Sequence, residues 1–241
     1  YDLWLHPDDY QITFRDQGWV GNTNYFGITV PQSVAYEDEV TLDVTLVPTA
    51  KISGRVVDAA GDPIANVDVR VGSRSAWTDW NGTYTIAPLD PGTYTVRFSH
   101  YYYVTEWYHN MPTELGATTF TVEHGDLVTG VDAVLVRAGE ITGHVAGDDG
   151  TSGLYNISVT AWASDGSGGW TVAGAAHTSG DGDYRILGLP TGNYRIQFQQ
   201  SADWFGEYYD DVATIGDASD VATVNERVTP NIDASLRSRR G

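Results

Sequence analysis

Aromatic side chains interleaved with short acids and amides are the clearest chemical signal in this chain of 241 residues. Trp77 and Trp80 flank Asp79. Tyr101, Tyr102 and Tyr103 form an unbroken run, and Trp162 and Trp170 bracket a Gly- and Ser-rich stretch. An exposed Trp or Tyr face stacks on the apolar C–H side of a sugar ring, while Asp and Asn at its rim bind hydroxyls. These residues are the candidate carbohydrate contacts. Tyr25-Phe26, Trp107-Tyr108 and Tyr208-Tyr209 recur at equivalent places along the chain and are read as core packing.

A second chemistry is cation binding. Thr78-Asp79-Trp80-Asn81-Gly82 and Ser179-Gly180-Asp181-Gly182-Asp183 set oxygen side chains two apart beside a glycine. Calcium takes about six to eight oxygens, more than either loop supplies. Asn-Gly and Asp-Gly are also the preferred hairpin-turn dipeptides. Turns are the first reading; calcium on Asp79, Asn81, Asp181 and Asp183 is the second, with no other cofactor expected. Catalysis has less support. His6, His100, His109, His124, His144 and His177 form no H-E-x-x-H pair, and no G-x-S-x-G elbow occurs. Asp8-Asp9, Asp148-Asp149 and Asp210-Asp211 lie in turn-like sequence and read as solvated acids. No active site is expected.

These residues sit in a strongly acidic chain. The 32 acids outnumber 13 bases for a formal charge of −19, with Lys51 the one lysine. Such a charge repels phosphate backbones, so nucleic acid is not an expected partner. With no cysteine, disulfides and thiolate metal sites are excluded. No apolar run reaches the roughly 18 residues of a membrane helix. Aromatics at 12% supply enough large apolar surface to build cores.

The chain repeats itself. Ile52-Ser53-Gly54-Arg55-Val56 returns as Ile141-Thr142-Gly143-His144-Val145, and Gly82-Thr83-Tyr84-Thr85-Ile86 as Gly182-Asp183-Tyr184-Arg185-Ile186. Gly92 to Phe98 returns as Gly192 to Phe198. An earlier partial copy aligns Tyr1-Asp2-Leu3 with Tyr84-Thr85-Ile86, and Tyr10 to Phe14 with Tyr94 to Phe98. Each copy closes alike, at Leu42 to Leu46, Val131 to Leu135 and Ile232 to Leu236. Three units follow: residues 1–50 as the second half of a repeat, then 51–139 and 140–241. The segment reads as part of a longer array entered in mid-domain.

Within a copy, apolar residues alternate with period two, as in Ile52/Gly54/Val56, Val67/Val69/Val71 and Tyr94/Val96/Phe98. Turn residues separate these runs: Ala60-Gly61-Asp62-Pro63, Asn81-Gly82, Asp90-Pro91-Gly92. Short strands with one apolar face must close as two packed sheets. The expected fold is all-β, a row of β-sandwiches joined by short links such as Val47-Pro48-Thr49-Ala50-Lys51. The half repeat leaves Leu3, Leu5, Ile12 and Phe14 short of cover, so strand addition by another chain is one expectation for it.

The pattern I-x-G-x-V, G-x-P-I-x-x-V-x-V, T-D-x-x-G-x-Y-x-I-x-x-L-x-P-G-x-Y-x-V-x-F resembles carboxypeptidase regulatory-like domains. These are grouped with the transthyretin-like and collagen-adhesin B-type modules of bacterial surface proteins. Residues 51–139 carry nearly all of it, from Ile52 through Thr78, Asp79, Tyr84, Pro91 and Gly92 to Phe98. Residues 140–241 keep Ile141, Gly143, Val145, Tyr184, Gly192, Tyr194 and Phe198. The resemblance implies tandem immunoglobulin-like, prealbumin-type sandwiches in an exported bacterial protein. It also implies a test of the Lys–Asn isopeptide that adhesin relatives carry. Here Lys51 faces a closing strand that offers Asp132 and no Asn, and Glu140 takes the lysine's place in the next repeat.

The function expected is a non-catalytic spacer of a secreted or surface protein, holding or presenting a partner domain. Its partners would be neighbouring repeats of the same chain. Two other readings stand beside it: a carbohydrate-binding array attached to a polysaccharide-active enzyme, and a surface subunit assembled by strand exchange. The acids, concentrated in turns and between repeats, would spread the charge along the array.

Overall fold

In the computed structural model, residues 3–15 and 25–239 are described. Tyr1 and Asp2, aligned above with Tyr84-Thr85, lie outside that range. The described residues form strands and turns with no helix, so the all-β expectation holds. Two compact units result, one of Tyr1–Phe98 with Thr105–Val134 and the other of Ser99–Val104 with Leu135–Gly241. The half repeat groups with the second repeat, and the hairpin tip Ser99–Val104 with the third.

The two complete repeats share one plan. In the second, Ala50–Asp58 pairs antiparallel with Thr83–Leu89 and parallel with Leu127–Val128. A second sheet has the order Arg74–Trp77, Asp68–Val71, Val96–His100, Tyr103–Trp107. In the third, Gly139–Ala146 pairs with Asp183–Leu189, Val228–Thr229 and Ala234–Ser235. Its second sheet runs Trp170–His177, Ser158–Ser164, Gly192–Phe198, Glu207–Tyr208. Inward residues of both sheets make one core: Ile141 and Val145 meet Val159, Ile196 and Phe198. A buried tyrosine spans each sandwich, with Tyr84 edge-on to Phe98 at 5.9 Å and Tyr184 to Phe198 at 6.0 Å.

Hydrogen bonds explain the repeated motifs. Tyr84 Oη donates to the Val131 carbonyl at 2.7 Å, and Tyr184 Oη to that of Ile232 at 2.6 Å. The same carbonyls pass directly over Gly54 and Gly143, where a Cβ would overlap them. The glycine of Ile-x-Gly-x-Val is therefore a crossing point of two backbones. The closing Asp serves the same crossing: Asp132 Oδ1 accepts from Arg55 N at 2.7 Å and Asp233 Oδ1 from His144 N at 2.8 Å.

The threonine before each turn is buried and doubly bonded. Thr178 Oγ1 accepts from Ile157 N and donates to Leu154 O; Thr78 does the same with Val67 N and Ile64 O. Thr178→Val keeps the shape and strands a buried N–H and C=O, at a cost of about 1–3 kcal/mol. Thermal denaturation followed by circular dichroism should show that loss, and Thr178→Ser, which keeps the hydroxyl, should recover most of it.

Several expectations change. Asp8-Asp9 opens a strand, Asp8–Phe14, that pairs antiparallel with Ile28–Val34, because the ladder continues to Asp8↔Val34. Leu42 to Leu46 forms no strand. The link read at Val47–Lys51 is shorter, since Ala50 pairs with Leu89, is fully buried and already belongs to the sheet. The recurring aromatic pairs do not occupy core centres. Trp107, Tyr108, Tyr208, Tyr209 and Phe26 are half-buried and Tyr25 is exposed. Tyr209 still packs against the third-repeat core, and Tyr108 meets Phe120 at 5.0 Å. Leu3 is 67% exposed and Ile12 and Phe14 are half-buried.

Candidate functional site

The predicted site residues separate into three groups. Trp77 ends the strand Arg74–Trp77 and Trp80 lies in the turn after it, 66% and 80% exposed. The Asp79 carboxylate between them is used by its own loop. It accepts from Asn81 N and Thr83 N, both at 2.9 Å, and from Thr83 Oγ1 at 2.8 Å. The Thr83 N–H, the Thr83 hydroxyl and the Asn81 N–H hold its pKa below the usual carboxylate value. Asp181 is exposed in the matching turn, and Asp183 turns away from it toward His144. Among the described residues no group of three or more His, Asp or Glu gathers as a metal-ligand set. The Asp79/Asn81 loop is built as a turn.

Trp162 and Trp170 sit on neighbouring strands of the third repeat. Trp162 Nε1 donates to Gln197 Oε1 at 3.1 Å, and the Arg195 guanidinium lies 4.7 Å from the Trp170 ring. Both rings are half-buried against their own sheet.

The tyrosine run does two things within the unit that contains the third repeat. Tyr102 and Tyr103 meet the segment 136–138. Ala138 N donates to Tyr102 O and Val104 N to Val136 O, each at 2.9 Å. The Arg137 guanidinium stands 5.7 Å from the Tyr102 ring. Tyr101, 66% exposed, instead flanks a cleft of about 900 Å³.

Sheet register builds that cleft. Outward positions of Gly139–Ala146 supply Glu140, Thr142 and His144; the paired strand supplies Asp183 and Arg185. His177, Asn231 and Asp233 complete one end. Arg185 binds Glu140 with two nitrogens, Nε on Oε1 and Nη2 on Oε2 at 2.8 Å. That hydrogen bond and charge raise the Arg185 pKa. His144 Nδ1 lies 3.0 Å from Asp183 Oδ1. Asp183 and Tyr101, predicted separately for calcium and sugar, thus line one cleft with residues that the motif reading passed over. The signal was available: antiparallel pairing of the two repeat motifs sets His144 opposite Asp183 and Thr142 opposite Arg185. Equivalent positions in the second repeat line a smaller hollow of about 280 Å³ with Lys51, Ser53 and Thr85.

The isopeptide geometry is absent. Lys51 pairs with Leu127, whereas Asp132 binds the Arg55 N–H four residues farther along the strand, about 13 Å away at strand rise.

Residues 51–135 match the family model of the carboxypeptidase regulatory-like domain. The match spans the second repeat. The third repeat follows the same strand plan as the regulatory-like repeat. No curated protein matches the chain in sequence. Among solved structures, a streptococcal ancillary pilin is 14% identical over 98% of this chain and 77% of its own, with a TM-score of 0.36. The minor pilin of Streptococcus agalactiae is 14% identical over 80% and 98%, at 0.37. The shaft pilin of Lactobacillus rhamnosus GG is 10% identical over 80% and 97%, at 0.38.

Proposed function

We propose that this chain is a non-catalytic structural segment of an exported bacterial protein, a row of sandwiches that holds or presents a partner domain. The observation that carries the proposal is the backbone of the link 136–138. Val136 O and Ala138 N are bonded to the hairpin tip 102–104, and Arg137 O accepts from Glu226 N at 3.0 Å. Glu140 N, just beyond, donates to Arg227 O at 3.0 Å. Ala138 is buried. A flexible tether leaves its peptide groups to water and is rich in Gly and Ser. Within the unit that holds it, this link is bonded on two sides, unlike such a tether. The family match of the regulatory-like repeat supports a modular role and identifies no reaction.

The test uses the absence of cysteine. Ser73→Cys and Ser167→Cys, both at exposed positions, allow spin labels to be placed on the second and third repeats. Pulsed electron resonance should give one narrow distance distribution, broadened several-fold when a Gly-Ser stretch is inserted after Arg137. A native distribution as broad as that of the insertion variant would reject the spacer.

A further inference from the structure

The cleft of the third repeat has a composition that the spacer role does not require. The two complete repeats match at inward positions: Ile52 and Ile141, Gly54 and Gly143, Val56 and Val145, Tyr84 and Tyr184. Outward they part. Lys51, Ser53, Arg55, Thr83 and Thr85 of the second repeat stand where the third has Glu140, Thr142, His144, Asp183 and Arg185. Packing explains the shared residues and leaves the divergent set to another purpose.

We propose that this cleft binds a neutral saccharide, with Tyr101 as the platform for the sugar's C–H face. The Arg185 charge is already paired with Glu140, and His144 Nδ1 lies within hydrogen-bond distance of Asp183. An anion entering would meet Glu140, Asp183 and Asp233. A cation would find no converging set of three ligands among the described residues. The pairs nevertheless keep hydrogen-bonding capacity. A guanidinium has five N–H groups, of which Arg185 directs two at Glu140, and each carboxylate oxygen keeps a lone pair free of its partner. Donors and acceptors therefore stand side by side in the cleft, held by the Arg185–Glu140 and His144–Asp183 contacts. Vicinal hydroxyls, each both donor and acceptor, complement that pattern. The exposed Tyr101 ring supplies the apolar contact that a polyol site also needs. A volume of about 900 Å³ is sufficient for a short oligosaccharide.

Titrations of the ¹⁵N-labelled full chain with cellohexaose, xylohexaose, chitohexaose and mannohexaose test the proposal, with oligogalacturonate and spermidine as charged comparisons. At least one neutral glycan should shift the amides of Thr142, His144, Asp183 and Arg185 in a saturable way. Tyr101→Ala, at an exposed position, should leave the remaining spectrum in place and weaken binding about ten-fold. Silence of those amides with every neutral glycan would overturn the site, as would response to a charged probe alone. Binding unchanged by Tyr101→Ala would overturn the platform.

Discussion

Gly143→Ala should cost the third repeat about 3 kcal/mol or more, lowering its melting transition by roughly 12 °C or more. A Cβ at that position would overlap the Ile232 carbonyl and stand 2.9 Å from the Tyr184 ring. Neither neighbour can yield cheaply. The Ile232 peptide is fixed from both sides, since its N–H donates to Thr142 O at 3.1 Å and its carbonyl accepts from buried Tyr184 Oη. Moving it would also pull Asp233 off the His144 N–H. Tyr184 is held in the core against Phe198. The variant must therefore separate the closing segment from the opening strand. Differential scanning calorimetry should show the third-repeat transition lost or displaced and that of the second repeat nearly in place, with Gly54→Ala giving the reciprocal pattern. Melting of Gly143→Ala within about 1 °C of the parent would mean that the closing segment does not cross there.

Much of this was legible because it depends on local periodicity. Alternation at Ile52/Gly54/Val56 and Tyr94/Val96/Phe98 placed the inward face, and repetition assigned the same plan to residues 140–241. What lay beyond local reading depends on crossings. Nothing in Ile-x-Gly-x-Val says that a carbonyl from nearly 80 residues later in one repeat, and about 90 in the other, passes over its glycine, although the repeated Gly is the mark of it. Recurrence of the aromatic pairs signals packing, as Tyr209 against the third-repeat core shows, without giving their depth of burial. Tyr101 shares a cleft with Asp183 through the association of the hairpin tip 99–104 with the third repeat, which no spacing in the sequence records. The residue before two of those pairs, Glu106 and Glu207, was passed over because an acid in an acidic chain reads as solvated.

These two glutamates should make the protein less stable at pH 8 than at pH 5, the reverse of a chain held by paired carboxylates. Glu207 lies opposite core residue Phe198 in the ladder. Tyr108 N to Val96 O and Tyr209 N to Ile196 O are equivalent bonds, so Glu106 lies opposite Phe98 in the same way. Each has an Oε1 buried without a hydrogen-bond partner among the described residues. Burial pushes the Glu106 carboxyl up to about 7. Burial, then the Asp211 and Asp210 charges, does the same for Glu207, also to about 7. The unfolded chain releases these protons near 4.5, while the folded chain keeps them until about 7. Stability is thus fully present below 4.5, falls through that window and levels off above it. The loss is about 2–3 kcal/mol for Glu106, which is 9% exposed, and about 1 kcal/mol for half-buried Glu207 after solvent screening. His100, its pKa lowered by burial, works in the opposite direction below its unfolded value of 6.5. Asp79 and Asp149, lowered by hydrogen bonds within their turns, titrate below the window. Glu106→Gln with Glu207→Gln removes both titrations while keeping shape. That variant should melt close to the parent at pH 5 and well above it at pH 8, by about 10 °C for the second repeat. If parent and variant show the same pH dependence across 5 to 8, the two carboxyls are not the buried groups that set it.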